Sequence, residues 1–127
     1  MLAPKVLSHS MHAQLSILLR LLGGLNSDEV LEFLEQELAR ANLVGDDELD
    51  PRVAAVGRCV LYHEDVANIR KVGTLVLPGD EHRVAGGISL IEPEGACLLG
   101  LSEGQSIAFW SGSNAVCKVT LEAIVCP

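Results

Sequence analysis

Apolar residues recur at spacings of three and four through the first third of the chain, then alternate singly after residue 52. The change of period divides the sequence. Over residues 12–22, Leu15, Leu18, Leu19 and Leu22 share one helical stripe, which Ile17 and Leu21 widen. Ser8 or Ser10 can cap its start, and Gly23-Gly24 stops it. A second helix is predicted from Asn26, an N-cap residue with Glu29 three positions on in a capping box. Leu25 and Val30 flank that cap at staple spacing, and Asp28 and Glu29 lie where the helix dipole favours anions. Leu31, Leu34, Leu38 and Ala41 carry the pattern to about residue 42. Two helices joined by a short glycine turn make an antiparallel hairpin over residues 1–44. Its arms of about 11 and 16 residues have a reach of roughly 17–24 Å.

Residues 45–51, Gly-Asp-Asp-Glu-Leu-Asp-Pro, form an acidic linker that Pro51 keeps from continuing the helix. Residues 52–127 then read as a second unit. Single alternation predicts a strand over 56–63, residues 64–68 make a hairpin loop, and a β-branched strand returns over 69–77. A long polar connection, 78–87, leads to the apolar run 88–91. Pro93 ends that run and suits the first turn of a helix. A short helix over 95–99 follows, closed by Gly100 as a left-handed cap, with Leu101 packing back under it. Gly104 permits the turn into a strand over 105–109. Residues 111–114 form a hairpin turn, and 115–125 the last strand. The fold class is α+β: a helical hairpin followed by about five mostly antiparallel strands around one short helix that covers one face of the sheet.

Composition narrows the function classes. Apolar residues make up 49% of the 127, but aromatic residues only 3%, so the core is aliphatic. With 17 acids against nine bases the net charge is −8, which excludes general nucleic-acid binding and fits a basic surface on another protein. Arg52, Arg58, Arg70, Lys71 and Arg83 all follow the linker, while the acids lean toward the N-terminal part. Cys59, Cys97, Cys117 and Cys126 form no Cys-x-x-Cys pair, and read as small apolar residues in a reducing compartment. There is no leader pattern and no apolar run of membrane-spanning length, so the expected setting is the cytoplasm.

The segment Gly87-Ile-Ser-Leu-Ile-Glu-Pro-Glu-Gly-Ala-Cys-Leu-Leu-Gly-Leu-Ser-Glu-Gly-Gln-Ser-Ile107 resembles the C-terminal domain of the GreA/GreB transcript cleavage factors. The matching features are Ile88-Ser89, Pro93, Gly95, Leu98-Leu99-Gly100 and Gly104 ahead of a strand. Thr74-Leu-Val-Leu-Pro78 and Asp80-Glu81 match the strand end and acidic loop upstream, so the resemblance spans about residues 52–125. Ser111-Gly-Ser-Asn114 stands where the family often carries Pro-Gly-Gly, and Val66-Ala-Asn68 where it carries Gly-Glu. Both departures fall in loops. The resemblance implies an FKBP-like fold for this part, with Pro93, Gly95, Leu98, Leu99, Gly100 and Gly104 in structural roles. It also implies RNA polymerase as protein partner, bound in the region of its secondary channel.

In the family's cleavage factors a long coiled coil delivers paired acids that help hold a second Mg²⁺ at the polymerase active site. Here the tip acids are Asp28 and Glu29, already accounted for by the capping box and the helix dipole, and the hairpin is short. The expectation is therefore a non-enzymatic regulator with no cofactor and no metal, contacting its partner through Asn26, Asp28 and Glu29, and lacking transcript cleavage activity. An FKBP-like fold raises prolyl isomerase activity as an alternative. That needs an aromatic-lined pocket, for which only Tyr62, Phe109 and Trp110 are at hand, the last two on opposite sheet faces. A plain interaction module or oligomer is the remaining alternative, with Leu15, Leu18 and Leu22 and Leu31, Leu34 and Leu38 free to pack on each other, on the C-terminal unit or on a second chain. His63, Glu64 and Asp65 form a small polar cluster that reads as a solvated hairpin loop. No Ser-His-Asp arrangement, P-loop or dinucleotide fingerprint occurs.

Overall fold

The computed structural model describes residues 4–23, 28–111 and 114–126. The chain enters on β1 (Val6–Ser8) and rises through α1 (His9–Gly23). It returns through α2 (Glu29–Arg40) into β2 (Asn42–Val44). β1 and β2 pair in parallel, Leu7 opposite Leu43, and tie the two feet of the hairpin together. Ser8 caps α1, its hydroxyl accepting from Met11 N at 3.2 Å. Asp46 accepts from Ser10 N at 3.0 Å, so an acid of the expected linker sits at the positive end of α1.

The stripe on α1 is narrower than the periodicity implies. Leu15 and Leu19 are buried and Leu18 and Leu22 partly so, while Ile17 and Leu21 face outward, Leu21 at 68% exposure. The reason is that α1 has one neighbour along its length, α2, and only one strip of a cylinder can face it. On α2, Leu31, Leu34 and Leu38 point inward as the spacing predicts. The capping box does not form as expected: helix α2 begins at Glu29, and its N-cap is Asp28, whose carboxylate accepts from Val30 N at 2.7 Å. Asn26 and Leu25 lie outside the described residues, as do the residues at the turn of the last hairpin, 112 and 113.

Five strands form the second sheet: β3 (Cys59–Glu64), β4 (Ile69–Val76), β5 (Gly87–Ser89), β6 (Ser106–Ser111) and β7 (Asn114–Cys126), in the order β5-β4-β3-β7-β6. All neighbours are antiparallel except β4 and β5, which the long connection over 77–86 makes parallel. Helix α3 (Pro93–Leu98) covers one face. The alternation along β3 sends Val60 and Tyr62 inward. On β6 it buries Phe109 and exposes Trp110, as adjacent strand residues must. One buried cluster runs from Leu15, Leu19 and Leu34 through Leu98 and Leu101 to Val119 and Leu121, so hairpin and sheet share a core.

Helix α3 is held by backbone shape at both ends. A Cβ on Gly95 would lie 2.0 Å from the Ser89 carbonyl oxygen, so β5 and α3 approach too closely for any side chain. Gly100 has φ of 82°, the left-handed cap that the sequence predicts.

Candidate partner-binding surface

A hairpin can present its tip in a defined direction only if its base is fixed. Here Lys5 does much of that. It is 2% exposed, and its ammonium group donates to the carbonyls of Ala96, Cys97 and Leu99 at 2.9, 2.7 and 2.6 Å. These are carbonyls a helix leaves unpaired at its C-terminal end, where a cation is favoured. The Phe33 ring of α2 lies 5.9 Å from the same nitrogen. Burial pulls the Lys5 pKa down to about 8, opposed by the nearby Glu37 carboxylate. Alongside, Val6 N donates to Gly100 O at 2.9 Å and Asn42 N to Lys5 O at 2.8 Å. Periodicity could not find Lys5, because three residues of strand carry no period. The signal available was the short helix itself, whose last carbonyls require donors.

Toward the far end, α2 carries Glu29 and Glu32 in its first turn. Neither has an ion pair among the described residues. Between them and Trp110 on β6 opens a cleft of about 330 Å³, floored by Phe33 and Phe109, whose rings meet at 5.2 Å. Of the expected tip residues, then, Asp28 and Glu29 stand together at the start of α2, and Asn26 falls outside the described residues.

The polar cluster of the β3–β4 loop is built rather than loose. Glu64 is buried and accepts from Val66 N and Ala67 N at 3.1 and 2.6 Å, with Asn68 left-handed at φ of 58°. His63 bonds Asp65 through Nδ1 and Asn68 through Nε2, and the Asp65 carboxylate, then Asn68, raise its pKa. Each of these groups is used in closing the turn.

A second cleft of about 550 Å³ lies beside this loop, between Val66, Lys71, Pro93, Glu94 and Val116. Glu94 accepts from the Tyr62 phenol and from Lys71 Nζ, the latter at 2.7 Å. Burial and the Glu94 carboxylate push the Tyr62 phenol up, so it stays protonated and donates. No aromatic side chain is among the residues that line this cleft, since Tyr62 lies beneath it at 2% exposure. The pairing of Glu94 with Tyr62 and Lys71 joins α3 to β3 and β4, and sequence spacing carried no sign of it. Among the described residues no group of three or more His, Cys, Asp or Glu is placed to hold a metal ion. No helix there is long and apolar enough to cross a membrane.

No family model and no curated protein matches the chain. Among solved structures, a GreA/GreB transcription elongation factor from Nitrosomonas europaea matches over 95% of this chain and 97% of its own, at 29% identity and a TM-score of 0.70. The GreA factor homolog 1 (Gfh1) of Thermus thermophilus matches over 95% and 98%, at 16% identity and a TM-score of 0.44. The Thermus aquaticus Gfh1 matches over 91% and 84%, at 18% identity and 0.45. The two Gfh1 likenesses are too weak to carry an argument. The Nitrosomonas protein spans both hairpin and sheet, and on it rests the conclusion that this chain has a GreA/GreB-like fold.

Proposed function

We propose that this protein is a transcription regulator that binds RNA polymerase in the region of its secondary channel, hairpin first, without stimulating transcript cleavage. The observation that carries the reading is a GreA/GreB-like fold over nearly the whole chain, joined to a hairpin whose helices have only 15 and 12 residues. At 1.5 Å per residue these arms reach about 18–23 Å, too short for the tip-delivery chemistry of a long coiled coil. Asp28 is committed to capping α2. In this reading Asn26, Asp28 and Glu29 contact the partner at the tip, and the protein competes with longer factors for the same channel. Residues 1–44 form the inserted hairpin, 45–51 the linker, and 52–127 an FKBP-like docking domain. Within the family, the run from Gly95 to Ile107 and the short hairpin resemble the regulator of nucleoside diphosphate kinase (Rnk). The setting is the bacterial cytoplasm.

The test is retention on immobilised core RNA polymerase together with a transcript-cleavage assay on stalled elongation complexes. The intact protein is expected to be retained and to leave the RNA length unchanged. Shortened RNA would overturn the non-cleaving role. Asp28→Ser with Glu29→Gln removes the tip charge while keeping a capping side chain, and is expected to weaken retention. The exposed pair Ile17 and Leu21 favours one other reading, an oligomer or interaction module without polymerase. Absence of retention, with an apparent mass on size exclusion that rises with concentration, would select it.

A further inference from the structure

The four cysteines fall into two spatial pairs that their sequence spacing hides. Cys97 on α3 and Cys117 on β7 are both buried, and the neighbouring Cys97 thiol, then burial, pushes the Cys117 pKa up. Cys97 is fully buried and Cys117 only 2% exposed at the edge of the cleft beside the β3–β4 loop, so this pair offers solutes little surface. The other pair is open. Cys59 begins β3, Cys126 ends β7, and the antiparallel ladder makes them register partners. Opposed residues of such a ladder project to the same face, and both cysteines line one cleft of about 480 Å³ with Val56, Leu75 and Arg83. Cys126 is exposed, Cys59 half-buried, and neither is in a disulfide.

The geometry suits a cross-link. Opposed Cα atoms in an antiparallel pair are about 4.5 or 5.5 Å apart, and both values fall inside the disulfide range of about 4.4–6.8 Å. The ladder also has slack at this point. Val60 pairs with Ile124 and Cys59 with Cys126, so Val125 is an extra residue in a β-bulge. A bulge adds local twist and frees the backbone from strict pairing, so the sulfurs can meet without disturbing the rest of the ladder.

We propose that Cys59 and Cys126 form a redox modification site, oxidised by hydroperoxides to an intramolecular disulfide. The exposed Cys126 thiolate attacks the terminal oxygen of ROOH. The O–O bond breaks, the alkoxide takes up a proton and leaves as ROH, and Cys126 becomes a sulfenic acid. The Cys59 sulfur then attacks the sulfenic sulfur, the S–S bond forms, and the hydroxyl departs as water with the Cys59 proton. Two thiols lose two electrons, and the peroxide is reduced to an alcohol and water. The product pins the end of β7 across the start of β3 and narrows one wall of the cleft. A thiol reductant reverses it.

The test uses the full-length reduced protein, treated with hydrogen peroxide and analysed by mass spectrometry under denaturing, non-reducing conditions. The expected result is a monomer lighter by two hydrogens, a peptide map joining the Cys59 and Cys126 peptides, and recovery of the reduced mass with dithiothreitol. The oxidised form is expected to unfold at higher urea concentration than the reduced form. Cys59→Ser and Cys126→Ser should each abolish the linked peptide. The second replaces an exposed side chain, so its fold is kept and the result stands even if the first fails to fold. A link between Cys97 and Cys117, a dimer through Cys126 as the sole linked product, or oxidation that stops at sulfinic acid on Cys126 would overturn the proposal.

Discussion

A lysine sealed from water is stable only where something replaces its hydration, and for Lys5 three carbonyl oxygens do so. Lys5→Met keeps most of the volume but leaves those acceptors without a donor. It is expected to lower stability by about 2 kcal/mol in urea titrations. The pH dependence has a definite sign. The folded pKa, about 8, lies below the ordinary lysine value of 10.5, so between those values the unfolded chain binds more protons. Stability from this group therefore rises as pH climbs from about 8 to 10.5. The wild-type advantage over Lys5→Met is expected to grow by on the order of 2 kcal/mol between pH 7 and pH 10, and an unchanged gap would contradict the assignment. His63 behaves oppositely. Its raised pKa means its contribution is full below the unfolded value and is lost as pH rises through the folded one. An NMR titration should place the His63 pKa above its ordinary value, and Asp65→Asn should bring it back down. Neither residue's partners were legible in the sequence, since Lys5 reaches across 91 to 94 positions and His63 is one of many polar loop residues. What was legible was Gly100, whose place after a short helix announces a left-handed cap.

Elements followed the sequence where a period had room to repeat. Helix α2 was readable from four apolar positions, and β3 from simple alternation. The first residue of α2 was not, because Asn26 and Asp28 are both good caps and Glu29 completes a motif with only one of them. Asp28→Ala should cost about 1 kcal/mol of stability by thermal melting, whereas Asp28→Ser should cost much less. β1 and β2 escaped because three residues are too few to show alternation. The tightest constraint belongs to α3. Gly95→Ala places a methyl group against the backbone of Ser89, which no rotamer change relieves. It is expected to destabilise by about 3 kcal/mol or more, read from the urea midpoint.

For the whole molecule, the five mostly antiparallel strands around one short helix were predicted as found, but the change of hydrophobic period at residue 52 is not a clean divide, since β1 and β2 precede it and α3 follows it. The period says nothing about how the two parts meet. Arg58 Nη1 donates to the Asp50 and Val53 carbonyls at 2.8 and 2.6 Å, and Val6 and Lys5 are bonded to the end of α3, so the stretch between the parts is held at several points. A chain of residues 45–127 would expose Phe109 and the α3 face that hairpin residues cover. We expect it to bind a hydrophobic dye and to melt with lower cooperativity than the full chain. A sharp melt at the full-chain temperature would instead mean that the sheet unit is self-sufficient.

The buried lysine also sets a schedule for synthesis. Its carbonyl partners are made more than ninety residues after it, which at about 5–20 residues per second is roughly 5–20 s of translation. The two helices and the β1–β2 pair can zip together early, because their contacts are local, but Lys5 has no carbonyls of α3 to bind until that helix leaves the ribosome. Through that interval Lys5 is an ordinary solvated amine. Any acetylation of it must occur then, and an acetylated chain would fold without the ammonium that the carbonyls of Ala96, Cys97 and Leu99 accept from.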